Sequence, residues 1–237
     1  MKTRCLLFCL FAFFAIQCTP QNDDQPLPEV PQPGPDPKPV FTYLALGDSY
    51  TIGHSVSIAE RFPEQLADSL RRDSFDIGHV RIVAKTGWTT DELQAGIAAA
   101  NISDSTYSLV SLLIGVNNQF RGRSVESYQP EFAGLLDQAI AFAGGDRDRV
   151  FVVSIPDYAF TPYGNGNTAI SQGIDAYNIA NKAIADQAGV RYFYITPISR
   201  EGLNEPGLVA TDGLHPSGEQ YARWVGLMLP QVREMLE

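Results

Sequence analysis

Five short apolar runs, at 42–46, 80–84, 109–114, 150–155 and 192–195, limit what this chain can fold into more than any other feature. Each is rich in Val, Ile, Leu or aromatic residues and nearly continuous, where a strand with one wet face would alternate. Side chains that are apolar on both faces suit strands buried in a parallel sheet between two helical layers. Amphipathic segments at 59–71, 90–100, 130–143 and 172–188 separate the runs, and a last one at 217–235 is interrupted near Pro230. Parallel neighbours need crossovers of a dozen or more residues, and these segments supply them. The alternation predicts an α/β fold: a three-layer α/β/α sandwich around a five-stranded parallel sheet. In such sheets, sites form in the loops that leave the carboxyl ends of the strands.

The first 39 residues read differently. Lys2 and Arg4 precede an unbroken apolar run from Cys5 to Ile16, too short for the roughly 20 residues a membrane span needs and matched to a signal-peptide core. Residues 1–17 are therefore expected to be a signal peptide. Cys18 ends the run Ala15-Ile16-Gln17-Cys18, which resembles a bacterial lipoprotein signal whose Cys is acylated, although Gln17 stands where a small residue is usual. From Pro20 to Pro39 there are eight of the chain's sixteen prolines, the composition of a semi-rigid spacer. The expected organisation is a signal peptide at 1–17, a lipid-attachment Cys with a Pro-rich tether at 18–39, and one domain at 40–237. The corresponding location is outside the cytoplasm, as an outer-membrane or cell-surface lipoprotein or else as a periplasmic or secreted protein. All three Cys lie at or before position 18, so the domain has no disulfide framework.

Charge narrows the class of partner. The chain carries a net charge of −10, so a basic footprint for nucleic acid is missing, as is a polybasic face for an anionic membrane. The membrane is reached only through the expected lipid on Cys18.

The residues that carry chemistry sit where the strands end. Gly47-Asp48-Ser49 follows the first run, Thr86-Gly87-Trp88 the second, and Gly115-Val116-Asn117-Asn118 the third; Asp212-Gly213-Leu214-His215 precedes the last helix. A Ser hydroxyl is a weak nucleophile until a base removes its proton, and an imidazole does this best when a carboxylate fixes its tautomer. Asp212 and His215, three residues apart on a turn, offer that pair. The Ser49 N–H, the Gly87 N–H and the Asn117 amide are candidate donors for negative charge on an attacked carbonyl oxygen.

These four blocks, Gly47-Asp48-Ser49, Gly87, Gly115-x-Asn117 and Asp212-x-x-His215, occur in the order found in the GDSL/SGNH hydrolase family, which the chain resembles over essentially all of 41–237. The resemblance implies that family's flavodoxin-like sandwich and an esterase, lipase, thioesterase or carbohydrate-deacetylase type of activity. It makes Ser49 the nucleophile, His215 the base, Asp212 its support, and Ser49, Gly87 and Asn117 the oxyanion hole, with no cofactor and no metal. One position departs: the family usually has Asp after the oxyanion-hole Asn, and this chain has Asn118. That neighbour is a scaffolding residue, so the departure bears on loop geometry.

Around this set, Trp88, Tyr158 and Phe160 are candidate substrate-binding aromatics, the last two in a loop at 156–169 whose length suits it to shaping a pocket. Arg121 and Arg123 read as surface charge, His54 and His79 as structural or exposed, and Asp48 as a turn residue. The expected substrate is a small-molecule or glycan ester. A lysophospholipase or thioesterase of the same family, a non-catalytic lipoprotein binding glycan with the same fold, and a flavodoxin-like cofactor binder remain open as alternatives. The last would show a Ser/Thr/Gly-rich phosphate loop, of which residues 48–53 are a thin version.

Overall fold

The computed structural model describes residues 40–237; the expected signal peptide, Cys18 and Pro-rich tether lie outside them. The strands are β1 (Val40–Gly47), β2 (Asp76–Ala84), β3 (Leu109–Leu113), β4 (Val150–Val153) and β5 (Arg191–Phe193). They form one sheet in the order β2-β1-β3-β4-β5, with every pairing parallel. The central strands are buried along their length: Tyr43–Leu46, all of β3 and all of β4 are dry, as both-face coverage requires. At the edge, β2 is only partly covered: Ile77, Val80 and Val83 are buried while Asp76, His79 and Arg81 meet solvent, despite the run's apolar composition.

The helices are α1 (Ser49–Ile52), α2 (Phe62–Arg72), α3 (Thr90–Ala99), α4 (Val116–Phe120), α5 (Val125–Phe142), α6 (Thr168–Ala188), α7 (Thr196–Ser199) and α8 (Gly218–Leu236). α2 packs on α8, and α3 on α5 and α5 on α6, giving a helical layer on each face of the sheet. Two helices run through prolines that read as interruptions. α5 starts at Val125, five residues earlier than its pattern suggested, because Ser124 caps it by accepting the Ser127 N–H and because Tyr128 and Phe132 bury themselves on either side of Pro130. α8 continues past Pro230 because Val232, Met235 and Leu236 return to the core beyond it. In both, burial outweighs the one backbone hydrogen bond that proline removes.

The chain leaves β1 towards β2 on one side and later builds β3, β4 and β5 on the other. The order therefore reverses at β1, and a crevice opens between the carboxyl ends of β1 and β3. The loops holding Ser49 and Asn117 both open there.

Candidate active site

Ser49 is the first residue of α1, immediately after β1, and is 4% exposed. The turn presenting it is held by Asp48, whose Oδ1 accepts the Tyr50 N–H at 3.0 Å. Gly47 permits the close approach: a Cβ there would lie 2.4 Å from the Leu113 carbonyl oxygen and 2.1 Å from Thr51 Oγ1. Asp48 itself is completely buried, and burial raises its carboxyl to about 7, against the hydrogen bond from Tyr50 that lowers it.

His215 comes from the segment before α8. Asp212 folds this segment back on itself by accepting the backbone N–H groups of Leu214 at 2.9 Å and His215 at 3.0 Å through Oδ1. Its other oxygen lies 2.6 Å from His215 Nδ1. Because an ionised carboxylate only accepts, Nδ1 carries the proton and Nε2 keeps its lone pair. Burial pushes His215 below its ordinary pKa, against Asp212, and nearby His54 pushes the same way. Desolvation would raise the Asp212 carboxyl, but hydrogen bonds from Ser55 and from the side chain and backbone of His215 outweigh it and hold the group well below the usual range. The pair is thus a neutral imidazole against a carboxylate, the state a general base needs.

Two members of this arrangement have no signal in the sequence. Ser55 donates to Asp212 Oδ2 at 2.6 Å and does so from left-handed backbone, with φ of 67°. His54 places its ring 4.6 Å from the ring of His215, centroid to centroid, and its Nδ1 lies 3.0 Å from Thr86 Oγ1.

The loops after β2 and β3 are tied to each other. Asn117 Nδ2 donates to the Trp88 carbonyl at 2.9 Å, and a primary amide has a second hydrogen to give. Arg121 donates to the Gly87 carbonyl at 2.6 Å and pairs with Glu92. Gly87 has φ of 88°, backbone that a side chain would strain. Asn118 is buried, accepts the Thr90 N–H at 3.1 Å and donates to Thr90 Oγ1 at 2.6 Å; the Thr90 hydroxyl in turn donates to Glu131. The residue that departs from the family pattern therefore cross-links two site loops. Arg123 pairs with Asp91 at 2.7 Å, so both arginines brace loops and neither is a bare surface charge.

A cavity of about 140 Å³ is lined by Ser49, Gly87, Asn117 and His215, with Asp212 behind the histidine. Its apolar lining is Tyr50, Val116, Phe120, Tyr158 and Leu214. Tyr158 is held there by its hydroxyl, which donates to Gln119 Oε1 at 2.9 Å. The other two candidate aromatics do not line the cavity. The Trp88 ring lies over Gly96 of α3, where a Cβ would come within 2.1 Å of it, and contributes its backbone carbonyl instead. Phe160 is likewise outside the lining, and its carbonyl packs against Gly202. Phe120, 55% exposed, takes their place and stacks loosely with Tyr158 and Tyr163 at 6.2 and 6.3 Å.

A family model described as "GDSL-like Lipase/Acylhydrolase family" matches residues 45–223. Among solved structures, TesA matches with a TM-score of 0.65 at 21% identity, over 82% of this chain and 99% of that one. The psychrotrophic esterase EstA from Pseudoalteromonas sp. gives 0.63 at 17% identity, over 82% and 98%. The acetylxylan esterase Axe2 from Geobacillus stearothermophilus gives 0.64 at 19% identity, over 81% and 94%. At such identities these likenesses establish a common fold. No curated protein sequence matches the chain.

Proposed function

The chain belongs to the GDSL-like lipase/acylhydrolase family and is an ester-hydrolysing enzyme, and from that premise we propose that it works as a serine esterase on short acyl esters, with Ser49 as nucleophile. The observation that carries this reading is that Ser49, Gly87, Asn117 and His215 line one cavity, with Asp212 hydrogen-bonded to His215.

In the proposed cycle, His215 Nε2 takes the Ser49 hydroxyl proton as Oγ attacks the ester carbonyl. Asp212 keeps the proton on Nδ1 and stabilises the imidazolium that forms. The carbonyl oxygen, now negative, receives the Ser49 and Gly87 N–H groups and the second hydrogen of Asn117 Nδ2. The Trp88 carbonyl has already oriented that amide, so little reorganisation accompanies charge development. His215 then gives its proton to the departing alcohol, and water repeats the sequence on the acyl-enzyme.

The cavity's size supports a short acyl group. About 140 Å³ is small beside the roughly 300–1,000 Å³ of a pocket for a drug-sized ligand. The exposed rings of Phe120 and Tyr163 at the mouth suit an alcohol part with apolar faces, such as a sugar. The substrate class we favour is an acetylated or short-acylated glycan. In the same reading the enzyme is exported and held at the cell envelope through a lipid on Cys18.

Hydrolysis of p-nitrophenyl acetate, butyrate and octanoate by the wild type and by Ser49→Ala tests this. The expected result is turnover of the two short esters, weaker turnover of the octanoate, and a loss on the order of 10⁴–10⁶ in the variant. Undiminished hydrolysis by Ser49→Ala would refute the mechanism.

A further inference from the structure

His54 has no role in the proposed cycle, yet it stands against the residue on which the cycle turns. One ring nitrogen of His54, one of His215 and one carboxylate oxygen of Asp212 all lie within 4.8 Å of one another. His54 and Asp212 are exposed and His215 is at the cavity wall, so the three donors converge where a solute ion can reach them. We propose that His54, Asp212 and His215 form a reversible inhibitory site for a divalent cation of the zinc type.

The donor set selects the metal. Two imidazoles and one carboxylate suit zinc, copper or nickel, whereas magnesium and calcium prefer oxygen donors throughout. Three protein ligands with water in the fourth position is a regular zinc arrangement. Ligands at roughly 2.0–2.2 Å from a tetrahedral zinc stand about 3.4 Å from each other, so the 2.6 Å between Asp212 Oδ2 and His215 Nδ1 needs to open by about 0.8 Å, and separations of up to 4.8 Å need to close by at most about 1.4 Å. The His54 side chain, on an exposed turn and attached to the rest of the site by its contact with Thr86, can make that movement.

Inhibition follows from shared atoms. A cation shared by Asp212 and His215 displaces the proton from His215 Nδ1, the nitrogen facing Asp212; that proton passes to Nε2, which then has no lone pair for the Ser49 proton, and the metal competes with His215 for Asp212. Binding of metal and proton transfer exclude one another, and removal of the metal restores the base. This consequence rests on the reading of His215 as the base; the binding itself does not.

The test separates the two. Zinc chloride titrated calorimetrically into full-length Ser49→Ala, which retains all three donors, should show one equivalent bound, with no response to magnesium. Ser49→Ala/His54→Ala should bind at least ~10-fold more weakly, the lower end of the loss that follows even from removing a ligand's supporting partner. In parallel, zinc should inhibit the wild type, EDTA should reverse this, and the half-inhibiting concentration should rise at least ~10-fold in His54→Gln, each rate being normalised to that protein without zinc. Affinity unchanged by loss of His54, or no binding up to millimolar zinc, would overturn the site. Binding through His54 that leaves hydrolysis untouched would overturn the inhibition and, with it, the reading of His215 as base.

Discussion

Replacing Asp48 with Asn should change how stability depends on pH by an amount that the structure allows us to work out. Asp48 is completely buried beside the nucleophile, and its Oδ2 has no hydrogen-bond partner among the described residues. Burial raises the carboxyl from 3.8 to about 7. A folded-state pKa above the unfolded one means that the folded protein holds the proton more tightly. The stability this contributes is fully present below about pH 4 and is lost progressively as pH rises through about 7. Between pH 5 and pH 9 the loss covers the two units from 5 to 7, at about 1.4 kcal/mol per unit, or about 3 kcal/mol. Asn is nearly isosteric, keeps the oxygen that accepts the Tyr50 N–H and does not titrate. Its amide group, buried where Oδ2 now lies, costs about 1–3 kcal/mol if it finds no acceptor, but that cost is the same at both pH values. Urea unfolding of wild type and Asp48→Asn at pH 5 and pH 9 isolates the effect, because all other titrating groups are common to the two proteins. The variant's stability relative to wild type should be more favourable at pH 9 than at pH 5 by about 3 kcal/mol. A change below about 0.5 kcal/mol, the scatter of ordinary surface substitutions, would show that the carboxylate is ionised and accommodated in the fold, and the argument from burial would fail.

Three further outcomes are expected. Asn117→Ala should lower kcat by roughly 10²–10³ with little change in KM, the loss typical of one oxyanion donor; a KM effect alone would move Asn117 to substrate binding. The acid limb of kcat/KM should have its midpoint below about 6.5, because burial lowers His215, and should move further to acid in Asp212→Asn, where the carboxylate that raises it is gone; a shift to alkaline pH would contradict this. Asn118→Asp should destabilise the protein by about 1–3 kcal/mol in urea, since it loses the donor to Thr90 Oγ1 and sets a second carboxylate near Glu131, and Glu131→Gln should recover part of that loss.

The sequence made the sheet legible because coverage on both faces leaves a mark that local noise does not erase: Tyr43–Leu46 of β1 and all of β3 and β4 are dry and nearly all apolar. Part of the candidate site was legible for a related reason, since a strand's end is also where a parallel sheet opens: Ser49, Gly87 and Asn117 follow β1, β2 and β3, while the Asp212–His215 pair is marked by its three-residue spacing and by the resemblance to the hydrolase family. Side-chain direction in loops carries no comparable mark. Trp88 and Tyr158 look alike as loop aromatics, but Gly96, eight residues further on, leaves a space that takes the Trp88 ring away from the cavity, and Gln119 holds Tyr158 within it. Ser55 reaches Asp212 only through left-handed backbone that nothing in His54-Ser55-Val56 announces. Pro130 and Pro230 misled in the opposite sense, because tertiary burial on both sides of each outweighs a local break.

The hydrogen bonds divide the site into two braced halves. On one side Arg121 to Gly87, Asn117 to Trp88, and Asn118 to Thr90 tie the loops after β2 and β3, which hold the proposed oxyanion donors. On the other, Ser55 to Asp212, His215 to Asp212, and the Tyr163 N–H to the Gly213 carbonyl tie the turn that holds the proposed base. Between them, Thr86 and His54 make one direct bridge, and Ser49 stands at the seam. The separation of the two halves decides whether a carbonyl carbon at Ser49 meets the proposed donors and base together. An ion held by His54, Asp212 and His215 would act within the second half, where it would take the imidazole out of proton transfer. A residue with no part in bond cleavage would in this way govern whether cleavage takes place.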